Sequence, residues 1–144
     1  MKAHLCAHCG AINRIGTAPA GTAPVCGKCK ADLDVSGEPR PVSGAQLDAA
    51  VRSSPVPVLV DFWAPWCGPC RTAAPIFADL GRRRSGELLV LKVNSDEEQE
   101  ASARLGIRAI PTFVLFHGGQ EIARHSGVMP AAEMARWVDG HVRT

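Results

Sequence analysis

Residues 67–70 read Cys-Gly-Pro-Cys, and they stand where one kind of local structure hands over to another. Before them runs Val58-Leu59-Val60-Asp61-Phe62-Trp63, an apolar stretch broken by a single carboxylate. After them, Arg71 to Arg84 has the pattern of a helix. A buried strand that feeds straight into a helix belongs to a β-α-β arrangement, and the two thiols sit at the helix start. Residues i and i+3 there share a face, with Cα atoms about 5 Å apart, within the range a disulfide needs. Cys67 falls at the N-cap, where unpaired backbone N–H groups and the positive end of the helix dipole favour thiolate. Cys70, one turn in, is expected to lie deeper and to stay protonated until needed. Pro69 removes one N–H donor and stiffens the turn. The plainer alternative is half a metal site or two inert core cysteines.

The flanking segments extend the pattern. Ser43 and Gln46 have capping-box spacing and open a helix that Pro55 and Pro57 close. Leu88 to Val93 is an apolar strand interrupted only by Lys92. Ser95 is expected to cap a helix whose first turn holds Asp96, Glu97 and Glu98 and which Gly106 ends. Thr112 to Phe116 reads as a strand, Gly118-Gly119 as a hairpin turn into Gln120 to His125, and Pro130 as the start of a last helix, Ala131 to Val142. Pro75 is expected to kink the helix that follows the Cys pair. Buried strands alternating with helices, then a hairpin and a helix, predict an α/β fold with a central mixed sheet flanked by helices.

Residues 1–36 are different. They carry four of the six cysteines and only scattered large apolar residues, too few for a core of their own. Cys6-x2-Cys9, 16 residues, then Cys26-x2-Cys29 has the spacing of a four-cysteine zinc site, one ion per chain. Gly10 and Gly27 supply tight turns. Four thiolates on Zn²⁺ total −2, which offsets the +2 of this segment, while residues 37–144 carry 12 basic and 12 acidic side chains. Metal binding would also supply the folding free energy the segment lacks. Two disulfides, loose reduced thiols, or iron in place of zinc are the alternatives. His4 and His8 read as surface residues. The expected organisation is a zinc ribbon at 1–36, a linker at 37–41 and a second domain at 42–144.

The segment Asp61-Phe62-Trp63-Ala64-Pro65-Trp66-Cys67-Gly68-Pro69-Cys70 resembles the active site of the thioredoxin family. Lys92 and Asn94, the run Gly106-Ile107-Arg108-Ala109-Ile110-Pro111-Thr112, and Gly127 extend the likeness in order over about residues 41–144. One departure is the family's regular first strand, for here Glu38 to Val42 holds two prolines and is at best a short edge strand. A zinc ribbon ahead of such a domain resembles the zinc-containing bacterial branch, the thioredoxin 2 group.

The resemblance implies a thioredoxin fold and a protein-disulfide reductase. Cys67 would be the nucleophile and Cys70 the resolving thiol. Asp61, the one charge in a buried strand, should have a raised pKa. By resemblance it would accept the Cys70 proton with Lys92 nearby. Pro111 alone reads as an ordinary trans proline, since cis is about 5–6% of X–Pro bonds. The resemblance implies a cis Pro111 packed beside the sulfurs, with Ile110, Trp66, Gly68, Pro69 and Gly127 forming a substrate-docking face. It implies recycling by a thioredoxin reductase with electrons from NADPH, which is no cofactor here because the chain has no nucleotide fingerprint.

Composition bears on partners and compartment. No apolar run approaches the roughly 18 residues of a membrane span, and residues 1–30 lack a signal-peptide core. The expectation is a cytoplasmic monomer that acts on client proteins, with no organic cofactor, membrane or nucleic acid partner. Residues 1–36 contain no Phe, Trp or Tyr to stack on bases and only four basic side chains. The rival readings are a zinc-controlled isomerase or holdase and a non-enzymatic zinc-ribbon binding module. Client identity, reduction potential and the placement of the ribbon are not written in the sequence.

Overall fold

The computed structural model describes residues 2–16 and 23–142. The first unit holds an antiparallel pair, β1 (Lys2–Leu5) and β2 (Ile12–Ile15). The remainder is α1 (Gly44–Ser53), α2 (Gly68–Arg83), α3 (Gln99–Arg104) and α4 (Ala131–Val142) around a five-stranded sheet. Its strands are β3 (Arg40–Pro41), β4 (Val58–Trp63), β5 (Leu89–Asn94), β6 (Thr112–His117) and β7 (Gln120–Ser126), in the order β3-β5-β4-β6-β7. β3, β5 and β4 are parallel, while β6 and β7 run antiparallel.

Strand periodicity sorts the core onto two faces. Val58, Val60 and Phe62 of β4, with Leu89, Leu91 and Val93 of β5, face Leu47 and Ala50 of α1. Leu59, Val90, Phe113 and Leu115 face the other way, onto Phe77 and Leu80 of α2 and Met134 and Val138 of α4. Asp61 and Lys92 pair in register and, by alternation, share this second face with Leu59 and Val90.

Several elements match their local signals. Ser43 Oγ accepts from the Gln46 N–H at 3.1 Å, and Gln46 Oε1 accepts from the Ser43 N–H at 2.9 Å. The first strand of the sheet is two residues long, at Arg40 and Pro41, pairing with Leu91 and Lys92 at the sheet edge. α2 stays helical through Pro75.

Two local expectations are corrected. Ser95 does not cap α3, which begins four residues later with Glu98 at its N-cap and no side-chain cap bond. Residues 95–97 form turns instead, because Asn94 Oδ1 takes the Asp96 N–H at 2.9 Å and the Glu98 carboxylate takes the N–H of Gly44 at 2.8 Å. His4 is buried, not on the surface. Gly27 lies in the turn at residues 27–29, as expected, and the left-handed residue that follows this turn is Lys30, with φ +67°.

The first unit packs against the sheet. The Ala3 N–H donates to the Gly86 carbonyl at 2.9 Å, just ahead of β5, and Leu5 joins the core on the α1 face. Gly37 (φ +84°) crosses the end of α2 at Gly81, where a Cβ on Gly37 would stand 2.2 Å from the Gly81 carbonyl oxygen. Neither glycine can carry a side chain without opening that crossing.

Candidate functional site

Cys67 is the N-cap of α2, and its Sγ accepts the Cys70 N–H at 3.2 Å. The two residues form a disulfide with Cα atoms 5.2 Å apart. The pair packs with Ala64, Trp63 and Ile110. Cys67 and Cys70 are almost equally covered, at 4% and 3% exposure, so depth does not set the two sulfurs apart. Access does. Cys67, but not Cys70, lines an open cavity of about 530 Å³.

Ile110-Pro111 is a cis peptide, and the Ile110 carbonyl oxygen lies 3.8 Å from Cys67 Sγ. Pro111 accepts the Gly127 N–H at 2.8 Å through its carbonyl, which fixes the last loop (Gly127 φ +98°) beside the proline. Trp66 is 69% exposed, and its indole N–H donates to Asp96 Oδ2 at 2.9 Å. Trp66, Gly68, Pro69 and Ile110 all line the cavity. The sequence places Asp96 only in the first turn of an expected helix, not at the site. Only the turn at residues 95–97 brings it back to Trp66, so no linear signal marks it.

Asp61 is buried, and neither carboxylate oxygen has a hydrogen-bond partner. Burial pushes its pKa up to about 7, against the pull of Lys92. The Lys92 ammonium lies over the Trp63 ring, 4.6 Å from its centroid.

A second cluster lies in the first unit. The Sγ atoms of Cys6, Cys9, Cys26 and Cys29 are all within 4.8 Å of one another and could hold a metal ion. Two matching turns build it. The Gly10 N–H donates to Cys6 O and the Lys30 N–H to Cys26 O, while the Cys6 N–H donates to Ala11 O and the Cys26 N–H to Ala31 O. Gly10 and Lys30 are the equivalent left-handed residues, at φ +80° and +67°. The Cys29 backbone N–H and the Asn13 amide hold the Cys26 thiol below its ordinary pKa. Neither His4 nor His8 belongs to the cluster.

Comparison with known proteins bears on both sites. The sequence profile of the family described as Thioredoxin matches residues 38–140, most of the chain. The chain belongs to the thioredoxin family. Thioredoxin 1 of Nostoc sp. is 41% identical over 101 residues, 70% of this chain and 94% of its own length. Thioredoxin C-3 of Corynebacterium nephridii is 35% identical over 135 residues, 94% of this chain and 92% of its own, so that likeness extends over most of residues 1–36 as well. A mutant thioredoxin from Halobacterium salinarum superposes with a TM-score of 0.69 at 28% identity, covering 77% of this chain and 96% of that one. The thioredoxin fold expected from the sequence is therefore present, and the protein is a thiol-disulfide oxidoreductase. Among the described residues no helix is long and apolar enough to cross a membrane.

Proposed function

We propose that the chain is a protein-disulfide reductase working through Cys67 and Cys70. The Cys67 thiolate attacks one sulfur of a client disulfide. A Cys67–client S–S bond forms, the client bond breaks, and the departing client sulfur leaves as thiolate. Cys70 gives up its proton to Asp61, directly or through water, and attacks Cys67 Sγ. The client leaves carrying two thiols, and the 67–70 disulfide holds the oxidising equivalent. A thioredoxin reductase drawing on NADPH returns two electrons. The cis Ile110-Pro111 bond and Gly127 leave the Ile110 backbone free to pair with an extended client segment beside Trp66, Gly68 and Pro69. The observation that carries this reading is a disulfide at a helix N-cap whose first sulfur alone borders an open cavity.

The four-cysteine cluster suits structural zinc. A Zn–S distance of about 2.3 Å gives a tetrahedron with edges of about 3.8 Å. Two of the edges here, Cys6–Cys29 and Cys9–Cys26, are 3.7 and 3.6 Å. Bound zinc would supply folding free energy to a unit whose buried cluster is three residues, Cys6, Cys26 and Leu33. We place the protein in the cytoplasm, where such thiols stay reduced.

The test is insulin reduction with NADPH and a thioredoxin reductase. The full chain should consume NADPH only when insulin is present. If it reduces insulin with dithiothreitol but never accepts electrons from a reductase, the recycling step is wrong. If it does neither, the reductase reading fails.

A further inference from the structure

Ala109 and Ile110 line the cavity beside Cys67, and this part of its wall is held through its carbonyls. Thr112 and Ser126 are direct partners across β6 and β7, so their side chains share one face of the sheet. Their hydroxyl oxygens are 2.9 Å apart. Thr112 Oγ1 also donates to the Ala109 carbonyl oxygen, at 2.6 Å. A hydroxyl has one proton, so Thr112 has none left to give Ser126. The direction is therefore fixed. The Ser126 O–H donates to Thr112 Oγ1, and the Thr112 O–H donates to Ala109. In such a chain each bond polarises and strengthens the next. Thr112 is only 2% exposed, which leaves water little room to replace Ser126 as its donor. One residue on, the Gly127 N–H donates to the Pro111 carbonyl at 2.8 Å. Two adjacent residues at the end of β7 thus hold the carbonyls on either side of Ile110, whose own carbonyl oxygen stands 3.8 Å from Cys67 Sγ.

We propose that Ser126 is a positioning residue for the client. Through Thr112 and Ala109 it presets the Ile110 backbone for the extended segment that carries the attacked disulfide. The proposal rests on the reductase reading above, in which that segment pairs with Ile110, and adds a residue to it. Ser126 is itself exposed, and its hydroxyl acts two hydrogen bonds away from the peptide group it holds. A client strand pairs with Ile110 only where the backbone groups of the two are aligned. With the hydroxyl chain in place that alignment precedes binding; without it, binding has to supply the order. A small disulfide with no peptide backbone gains nothing from the alignment. Ser126 therefore favours disulfides on extended peptide segments over compact ones.

The experiment uses the reduced full-length chain and two mixed disulfides of one neutral thiopyridine, whose release reports attack. One carries a short peptide through its cysteine, the other a methyl group. Ser126→Val removes the hydroxyl, while Ser126→Thr keeps it at the same branched shape. The peptide-to-methyl ratio of rate constants should fall roughly three- to tenfold in Ser126→Val, the loss of one hydrogen bond, and stay near the wild-type value in Ser126→Thr. Thr112→Val breaks the chain at its middle and should lower the ratio as much. A ratio unchanged in both Val variants, or lost equally in Ser126→Thr, overturns the proposal. So does an equal fall of the two rate constants, which marks general disruption. N-methylation of the peptide backbone, walked through the residues flanking its cysteine, tests the pairing separately. At one position it should lower the wild-type ratio, and Ser126→Val should then lower it no further, because both changes act on the same contact. If N-methylation lowers the wild-type ratio nowhere, the pairing with Ile110 fails and the proposal with it. If neither disulfide is attacked, the reductase reading itself fails.

Discussion

Asp61 and Lys92 are direct partners across β4 and β5, yet no hydrogen bond or salt bridge joins them. The ammonium lies over the Trp63 ring, and the carboxylate is left with no hydrogen-bond partner in a buried position. The pair thus leaves the carboxyl a pKa of about 7, where it can take up a proton near neutral pH.

Asp61→Asn should separate catalysis from stability. The folded pKa, about 7, lies above the ordinary value of 3.8, so the unfolded chain holds fewer protons on this group between those pH values. Wild-type stability therefore falls as pH rises from about 4 to about 7, and the Asn variant should lack that slope. At pH 8 the variant should be more stable by about 2–4 kcal/mol. Turnover near pH 7 should drop roughly ten- to a hundredfold. Denaturant titrations at pH 5 and pH 8, beside insulin kinetics, check both. A variant less stable at pH 8 with unchanged kinetics would count against a buried, proton-accepting carboxylate.

The order of attack is open to a trapping test. Cys67→Ser should abolish disulfide reduction. Cys70→Ser should accumulate mixed disulfides on Cys67, since nothing resolves them. Incubation with a protein of known disulfide content and non-reducing electrophoresis should show an adduct that dithiothreitol removes. Adducts on Cys70 in the Cys67→Ser variant, with none in the converse, would reverse the assignment.

Lys30 holds a left-handed backbone conformation that glycine occupies at the equivalent Gly10. Lys30→Gly should relieve about 1 kcal/mol of steric cost, partly offset by glycine's greater freedom when unfolded and by the lost Lys30 Nζ bond to the Gly27 carbonyl at 3.0 Å. Zinc affinity, measured by chelator competition, should rise roughly two- to fivefold. Weaker binding would mean that the ammonium contact matters more than the backbone.

How much of this was legible beforehand depends on where each partner lies along the chain. The α1 capping box, the Gly118-Gly119 hairpin and the start of α4 at Ala131 rest on partners a few residues apart, and pattern alone finds them. α3 starts later than its sequence pattern predicts because the Glu98 carboxylate is used 54 residues away, on Gly44, and residues 95–97 form turns in place of the expected first turn. His4 has nothing polar or apolar beside it in sequence that announces burial; the docking of β1 against the sheet does it. Ser95 and Ser102 belong to different elements, and only the assembled fold brings both residues to the wall of one cavity. The cysteine pairs were readable because redox and metal chemistry demand their fixed short spacing.

Oxidants should distinguish the two sulfur sites. About one zinc per chain is expected before peroxide treatment and little after, as the four thiolates become disulfides. The Cys67–Cys70 pair should remain reducible by dithiothreitol in the treated protein. Zinc that stays bound after the redox pair is fully oxidised and excess peroxide is added would show the cluster to be inert.

The Ala3–Gly86 hydrogen bond fixes more than a contact. It ties the first unit ahead of the N-terminal end of β5, whereas Cys67 follows the C-terminal end of the parallel strand β4. Six residues of strand, about 17 Å, lie between those ends. The four-sulfur cluster accordingly includes neither Cys67 nor Cys70. The anchor of the first unit and the redox pair thus stand at opposite ends of the same parallel strands, so a client is offered to Cys67 at the end of the sheet away from that anchor.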